Sequence, residues 1–289
     1  MIRALLRQIR RLAIVVALTS PVRAQVTPEH ALQPATTDLD TLRQTAGPSW
    51  RRGESRHFVV YREQPVTANS LSSTIDSLEA AWAAATSLLG QAPPELPRAH
   101  VFITASRTRF AGFVPLEAKG LTTRLRSGED VIVFVQNDSV RLYARHEVMH
   151  LVSLQAWGWP GPRAWLIEGL ATFADGQCQS STVLAVGRDL LNARPLLRMH
   201  DVIENFVEMH RKEQATAYVL AGSFVDYLWS SRGRDGFHKL WIGRDSLTDV
   251  GLLPGMAGEL TAAWRAHVVR KAGTTPGVTP SAFLRAGCG

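Results

Sequence analysis

From Leu71 to Leu89, apolar side chains recur every three or four residues, at Leu71, Ile75, Leu78, Trp82, Ala85 and Leu89. That spacing predicts one helix with a single buried stripe. Asn69 or Ser70 is placed to cap its start, and Gly90 followed by Pro93-Pro94 to stop it. Short β-favouring runs predict strands at His57–Tyr61, His100–Thr104 and, most apolar of the three, Val131–Val135. The stretch between the last two carries Gly112, Pro115, Gly120 and Gly128 and reads as surface loops. From Val140 the pattern turns helical, with helices expected over 141–157, 163–175, 213–231 and 261–271. Gly158-Trp159-Pro160-Gly161-Pro162 forces a turn between the first two of these. Strands gathered before residue 140 and helices after it predict an α+β fold, a helical half packed against a small sheet.

Composition narrows the class without deciding it. Of 289 residues, 45% are hydrophobic, with eight Trp and ten Phe, which excludes a disordered or collagenous chain and supplies a core without staples. Residues 25–50 are rich in Thr, Pro, Ala and Gln, are broken by Pro28, Pro34 and Pro48, and read as a poorly ordered lead-in to a single domain over 51–289. Residues 1–24 read as a signal peptide. They hold a basic stretch from Arg3 to Arg11, an apolar run from Leu12 to Leu18, and Val22-Arg23-Ala24 as the cleavage site. The apolar run is far short of the roughly 20 residues that cross a bilayer. An exported protein, periplasmic or extracellular, with no stable membrane span after cleavage near Ala24 is therefore expected; an uncleaved anchor is the alternative.

The signal also explains the charge. The formal net charge is +7, but five of the 32 basic residues and none of the 25 acidic ones lie in residues 1–24, leaving 27 against 25. A near-neutral remainder gives no electrostatic reason to expect a nucleic-acid partner. Two cysteines, Cys178 and Cys288, suit one disulfide in an oxidising compartment, or two unpaired thiols.

One stretch carries chemistry: His146-Glu147-Val148-Met149-His150, inside a predicted helix. Imidazoles four residues apart share a helical face and can reach one metal ion. Glu147 lies to one side, suited to hold an attacking water and take its proton. The apolar flanks Val148, Met149, Leu151 and Val152 would bury this helix, and two buried imidazoles without a partner are costly. Catalytic zinc takes three protein ligands and keeps a fourth position open. Glu168, set among Leu166, Ile167, Leu170, Ala171 and Phe173, is the third candidate, since a lone carboxylate in such company must be paired or bound. The turn at 158–162 folds its helix back toward the histidines, and Gly169 is expected to leave free space beside the site. An exposed helical Glu168 is the plain alternative.

His-Glu-x-x-His followed after 17 residues by Glu168-Gly169-Leu170-Ala171 resembles the gluzincin metallopeptidases, most closely the small peptidase-MA-like domains of exported bacterial proteins. The resemblance covers about residues 56–272, and only the two helices around the motif are specific. It implies a zincin-like fold, a small mixed β-sheet over an active-site helix, followed by a mainly helical subdomain. It implies Zn²⁺ held by His146, His150 and Glu168, with Glu147 as general base in peptide-bond hydrolysis. It also implies a tyrosine from a later helix that stabilises the oxyanion. Tyr218 is the candidate and Tyr227 the second, against a tyrosine whose hydroxyl is simply bonded elsewhere.

The sequence departs from the family in two places. Where some gluzincins carry an acid four residues after the glutamate ligand, Thr172 stands here, with Asp175 three residues further on. The Gly-x-Met-Glu-Asn element that holds a substrate amino terminus in related aminopeptidases is also missing, which favours endopeptidase over exopeptidase action. Val131–Val135 reads either as an edge strand against which an extended peptide pairs or as a plain core strand. Arg232, Arg234 and Lys239 read as a solvated face, the other seven histidines lack metal spacing, and Cys178 would be superfluous as a ligand. The rival functions are a catalytically inactive gluzincin-like scaffold or binding domain of the cell envelope, and an exported binding module in which the motif is accidental.

Overall fold

The structure, a computed structural model, describes residues 39–46, 50–64, 70–110, 119–137, 140–178, 180–243 and 257–277. The proposed signal peptide, Gly112, Pro115 and Cys288 lie outside them. The chain is mixed α+β, as the segregation of strands and helices predicts.

Five strands form one mixed sheet: β1 (Arg51–Glu54), β2 (Phe58–Arg62), β3 (Ala99–Thr104), β4 (Gly120–Arg124) and β5 (Asp130–Val135). Their spatial order is β1-β2-β3-β5-β4. The central three run parallel, and both edge strands are antiparallel to their neighbours. The helix α2 (Leu71–Leu89) links β2 to β3 as the crossover that a parallel pair requires. Ser70 caps it by accepting a hydrogen bond from the Ser73 N–H, and Gly90 ends it at φ 65°. Only glycine adopts that left-handed backbone without strain.

One face of the sheet, carrying Phe58, Val60, Val101, Ile103, Ile132 and Phe134, packs on helices and forms the main core. The opposite face, with Val59, Tyr61, Phe102, Val131 and Val133, is covered by α1 (Leu39–Ala46). Over residues 39–46 this departs from the expectation of a poorly ordered lead-in, while 25–38 and 47–49 lie outside the described residues. Between the prolines, Leu39, Leu42 and Ala46 recur at helical spacing and are all buried, so residues 39–46 belong to the folded body. The loops expected before residue 129 also hide a strand. β4 forms a hairpin with β5 through a turn at Gly128, which has φ 101°. β5 is therefore interior and β4 is the edge, which decides between the two readings of Val131–Val135 in favour of a core strand.

The helical half follows. α3 (Ala144–Trp157) and α4 (Ala164–Asp175) are joined by the turn at 158–162, where Gly158 and Gly161 take φ of 75° and 78°. A small hairpin, β6 (Gln177–Cys178) and β7 (Ser181–Thr182), leads into α5 (Val183–Ala193) and α6 (Met199–Glu204). α7 (Phe206–Trp241) is longer than predicted and breaks its helical backbone at Glu213 and Gly233. α8 (Ala257–Ala272) closes the bundle, with its His267 and Lys271 both bonded to the buried Asp226 of α7. Cys178 is buried and disulfide-bonded. Among the described residues, no helix is long and apolar enough to cross a membrane.

His100 on β3 gives a stability prediction. Burial, then the charge of Arg43 from α1, lower its pKa to about 4, with a smaller contribution from Arg52 of β1 and an opposing one from Glu129. The unfolded chain takes up this proton near pH 6.5, so the contribution is complete above that value and is lost as pH falls toward 4. Melting temperature should therefore decline over that window, and His100→Phe should remove part of the decline. An unchanged pH profile in the variant would count against the assignment.

Candidate metal centre

α3 carries His146 and His150 one turn apart on the face toward α4, and the reversal at Gly158–Gly161 brings Glu168 opposite them. The Nε2 atoms of the two histidines are 3.1 Å apart, and Oε2 of Glu168 lies 3.3 Å from one and 3.4 Å from the other. Three donor atoms from two helices thus form a nearly equilateral triangle. Tetrahedral zinc with bonds of about 2.0–2.1 Å spaces its ligands about 3.3–3.4 Å apart. Despite these short distances, Oε2 of Glu168 receives no well-directed hydrogen bond among the described residues. A buried carboxylate oxygen that faces two imidazole nitrogens without being satisfied by them is what a divalent ion would complete. The set of two imidazoles and one carboxylate suits zinc.

The electrostatics agree with that geometry. Burial alone would raise the pKa of Glu168, but the charge of His150, joined by the adjacent His146, outweighs it and holds the carboxyl far below the usual carboxylate range. Burial would likewise lower His146, but Glu168, Glu147 and Asp175 more than offset it and raise its pKa. With its side chain 13% exposed, Glu168 is no surface residue. Gly169, however, leaves no free space beside the site. A Cβ there would lie 2.8 Å from Val225 Cγ2 and 3.0 Å from the Ala221 carbonyl oxygen, so this glycine lets α7 approach α4. Gly222 does the same from the other side, against Thr172.

Glu147 is buried on the side of α3 that faces the edge strand β4. Thr122 Oγ1 lies 2.8 Å from its Oε2 and 3.0 Å from its backbone oxygen, two acceptors that share its one proton, with the carboxylate the closer and the charged one. Tyr218 of α7 stands beside the histidines, its ring centroid 5.8 Å from that of His146. Burial and the nearby negative charge of Glu168 raise its pKa well above 10, so the phenol keeps its proton. Its hydroxyl is within hydrogen-bond distance of His210 Nε2, at 3.2 Å, and accepts from Gln214 Nε2 at 3.3 Å. Tyr227 is elsewhere, packed on Phe224 and His267. Asp175 pairs with Arg141 at 2.6 Å, and Thr172 Oγ1 is buried without a partner among the described residues.

Sequence reasoning missed Gly120, Thr122, His210 and Gln214 in these surroundings. The alternation of Leu121 and Thr123 with Gly120 and Thr122 was a strand signal, overridden by the glycines around it. His210 and Gln214 share helical spacing, but nothing in one sequence connects them to Tyr218. Compared with known proteins, the chain matches no family model and no curated protein.

Proposed function

We propose that this chain is a zinc-dependent metallopeptidase of gluzincin type with a zincin-like fold, exported from the cell. The reading is carried by one observation, the convergence of His146 Nε2, His150 Nε2 and Glu168 Oε2 at zinc-ligand spacing. In this reading those three residues hold the ion. When bound, zinc supplies Lewis acidity, which acidifies water and polarises a carbonyl.

The chain's own residues do the rest. Glu147 removes a proton from water as the water adds to the peptide carbonyl, and delivers that proton to the leaving nitrogen as the C–N bond breaks. Tyr218, kept protonated beside His146, is the candidate donor to the developing oxyanion. A peptide substrate is favoured by β4. Among the described strands it is the last in the sheet, and it runs directly past Glu147, so an extended backbone added at that edge would lie within reach of the base.

The test is a peptide library digested by the purified protein with and without a zinc chelator. Cleavage at internal bonds that stops on chelation and returns with added zinc is the expected result. A zinc-loaded protein that leaves every peptide intact would favour the inactive scaffold instead.

A further inference from the structure

β4 does more than border the site. Gly120 and Thr122 are two residues apart, so they share the face of the strand that also carries Ile132 and Phe134 of β5. That is the face toward α3. A Cβ on Gly120 would lie 2.8 Å from Glu147 Cδ and 2.9 Å from its Cγ, so any side chain there would displace the carboxyl group. Thr122 Oγ1 sits 2.8 Å from the other carboxyl oxygen, Oε2, and 3.0 Å from the Glu147 backbone oxygen. One position makes room for the carboxylate and its neighbour grips it. Both groups are buried at the grip, where a hydrogen bond to a charged oxygen is strongest and water cannot replace it.

We propose that Thr122 is a positioning residue for Glu147. Its hydroxyl holds one carboxyl oxygen and so sets the rotamer of the base, and the bare backbone of Gly120, against which the other oxygen, Oε1, packs, makes that rotamer possible. The proposal rests on the reading of Glu147 as general base. It ties the strand proposed to receive substrate to the group that moves the proton, so the edge strand and the base are held in one register. Thr122 touches no substrate in this account and acts through Glu147.

The test uses the full chain with Thr122→Val, which keeps the shape and removes the hydroxyl, and Thr122→Ser, which keeps the hydroxyl. On a peptide that the wild type cleaves, Thr122→Val should lower kcat about 10- to 100-fold, as small misplacements of a reacting group do. KM and zinc stoichiometry should stay at wild-type values, and Thr122→Ser should restore most of the rate. A second readout needs neither zinc nor turnover. The ¹³Cδ resonance of Glu147 in metal-free protein, assigned by its loss in Glu147→Gln, should move in Thr122→Val and stay in place in Thr122→Ser. Wild-type kcat and an unmoved resonance in Thr122→Val would overturn the proposal, as would equal losses in the valine and serine variants. A Glu147→Gln variant as fast as the wild type would remove the base itself and this proposal with it. That failure is distinguishable because it appears with Thr122 intact.

Discussion

Glu147→Gln is expected to abolish peptide hydrolysis while leaving the fold and the metal in place. Glutamine has the same volume and keeps an oxygen that can accept from Thr122, so the contact at 2.8 Å survives the change. It cannot take a proton from water. General-base assistance is worth about 10²–10⁴ in rate, and here the same group also returns the proton to the leaving nitrogen, so the loss belongs at the upper end. Zinc per chain and melting temperature should match the wild type, because Glu147 is not among the three converging donors. A variant with normal turnover would take Glu147 out of its proposed role. One that lost its zinc as well would mean that the carboxylate is a ligand after all.

Glu168→Gln is expected to act the other way, on the metal first. The carboxylate is the only negative donor among the three, and its Oε2 faces both Nε2 atoms. Replacing it with a neutral amide keeps the volume but removes the charge that offsets the ion, and zinc affinity should fall about 10²-fold or more. Ligand binding stabilises the folded state by mass action, about 2.7 kcal/mol when free zinc is 100 times the dissociation constant. For a domain of this size that corresponds to a rise of roughly 5–10 °C in melting temperature. The wild type should show that rise on adding zinc, and Glu168→Gln should show little of it at the same concentration. Equal shifts in the two proteins would place the zinc elsewhere.

The elements that mattered most for the site were legible because their signals are local. The helix over 71–89 announces itself by its stripe and by Ser70 and Gly90, and both ends fall where those residues put them. His146 and His150 need only helical spacing to share a face, and a buried Glu168 could be anticipated from the apolar residues on either side of it. What was not legible depends on tertiary partners. Leu39, Leu42 and Ala46 look like a fragment of a Pro-rich lead-in until the sheet face that they cover is known. Gly120 and Thr122 look like loop residues until β5 pairs with them, and their bearing on Glu147 exists only once α3 lies across the hairpin. The same holds for Gly169. Its missing side chain reads as free space beside an active site, and is instead taken up by α7. The break in α7 at Glu213, where Arg194 pairs with the Glu213 carboxylate, has no periodicity to announce it.

The most direct measurement is anomalous X-ray scattering at the zinc absorption edge from crystals of the protein grown with zinc. One strong peak per chain is expected, about 2.0–2.2 Å from His146 Nε2, His150 Nε2 and a carboxyl oxygen of Glu168. No peak between those side chains, or a peak there with the Glu168 carboxyl turned away from both rings, would contradict it.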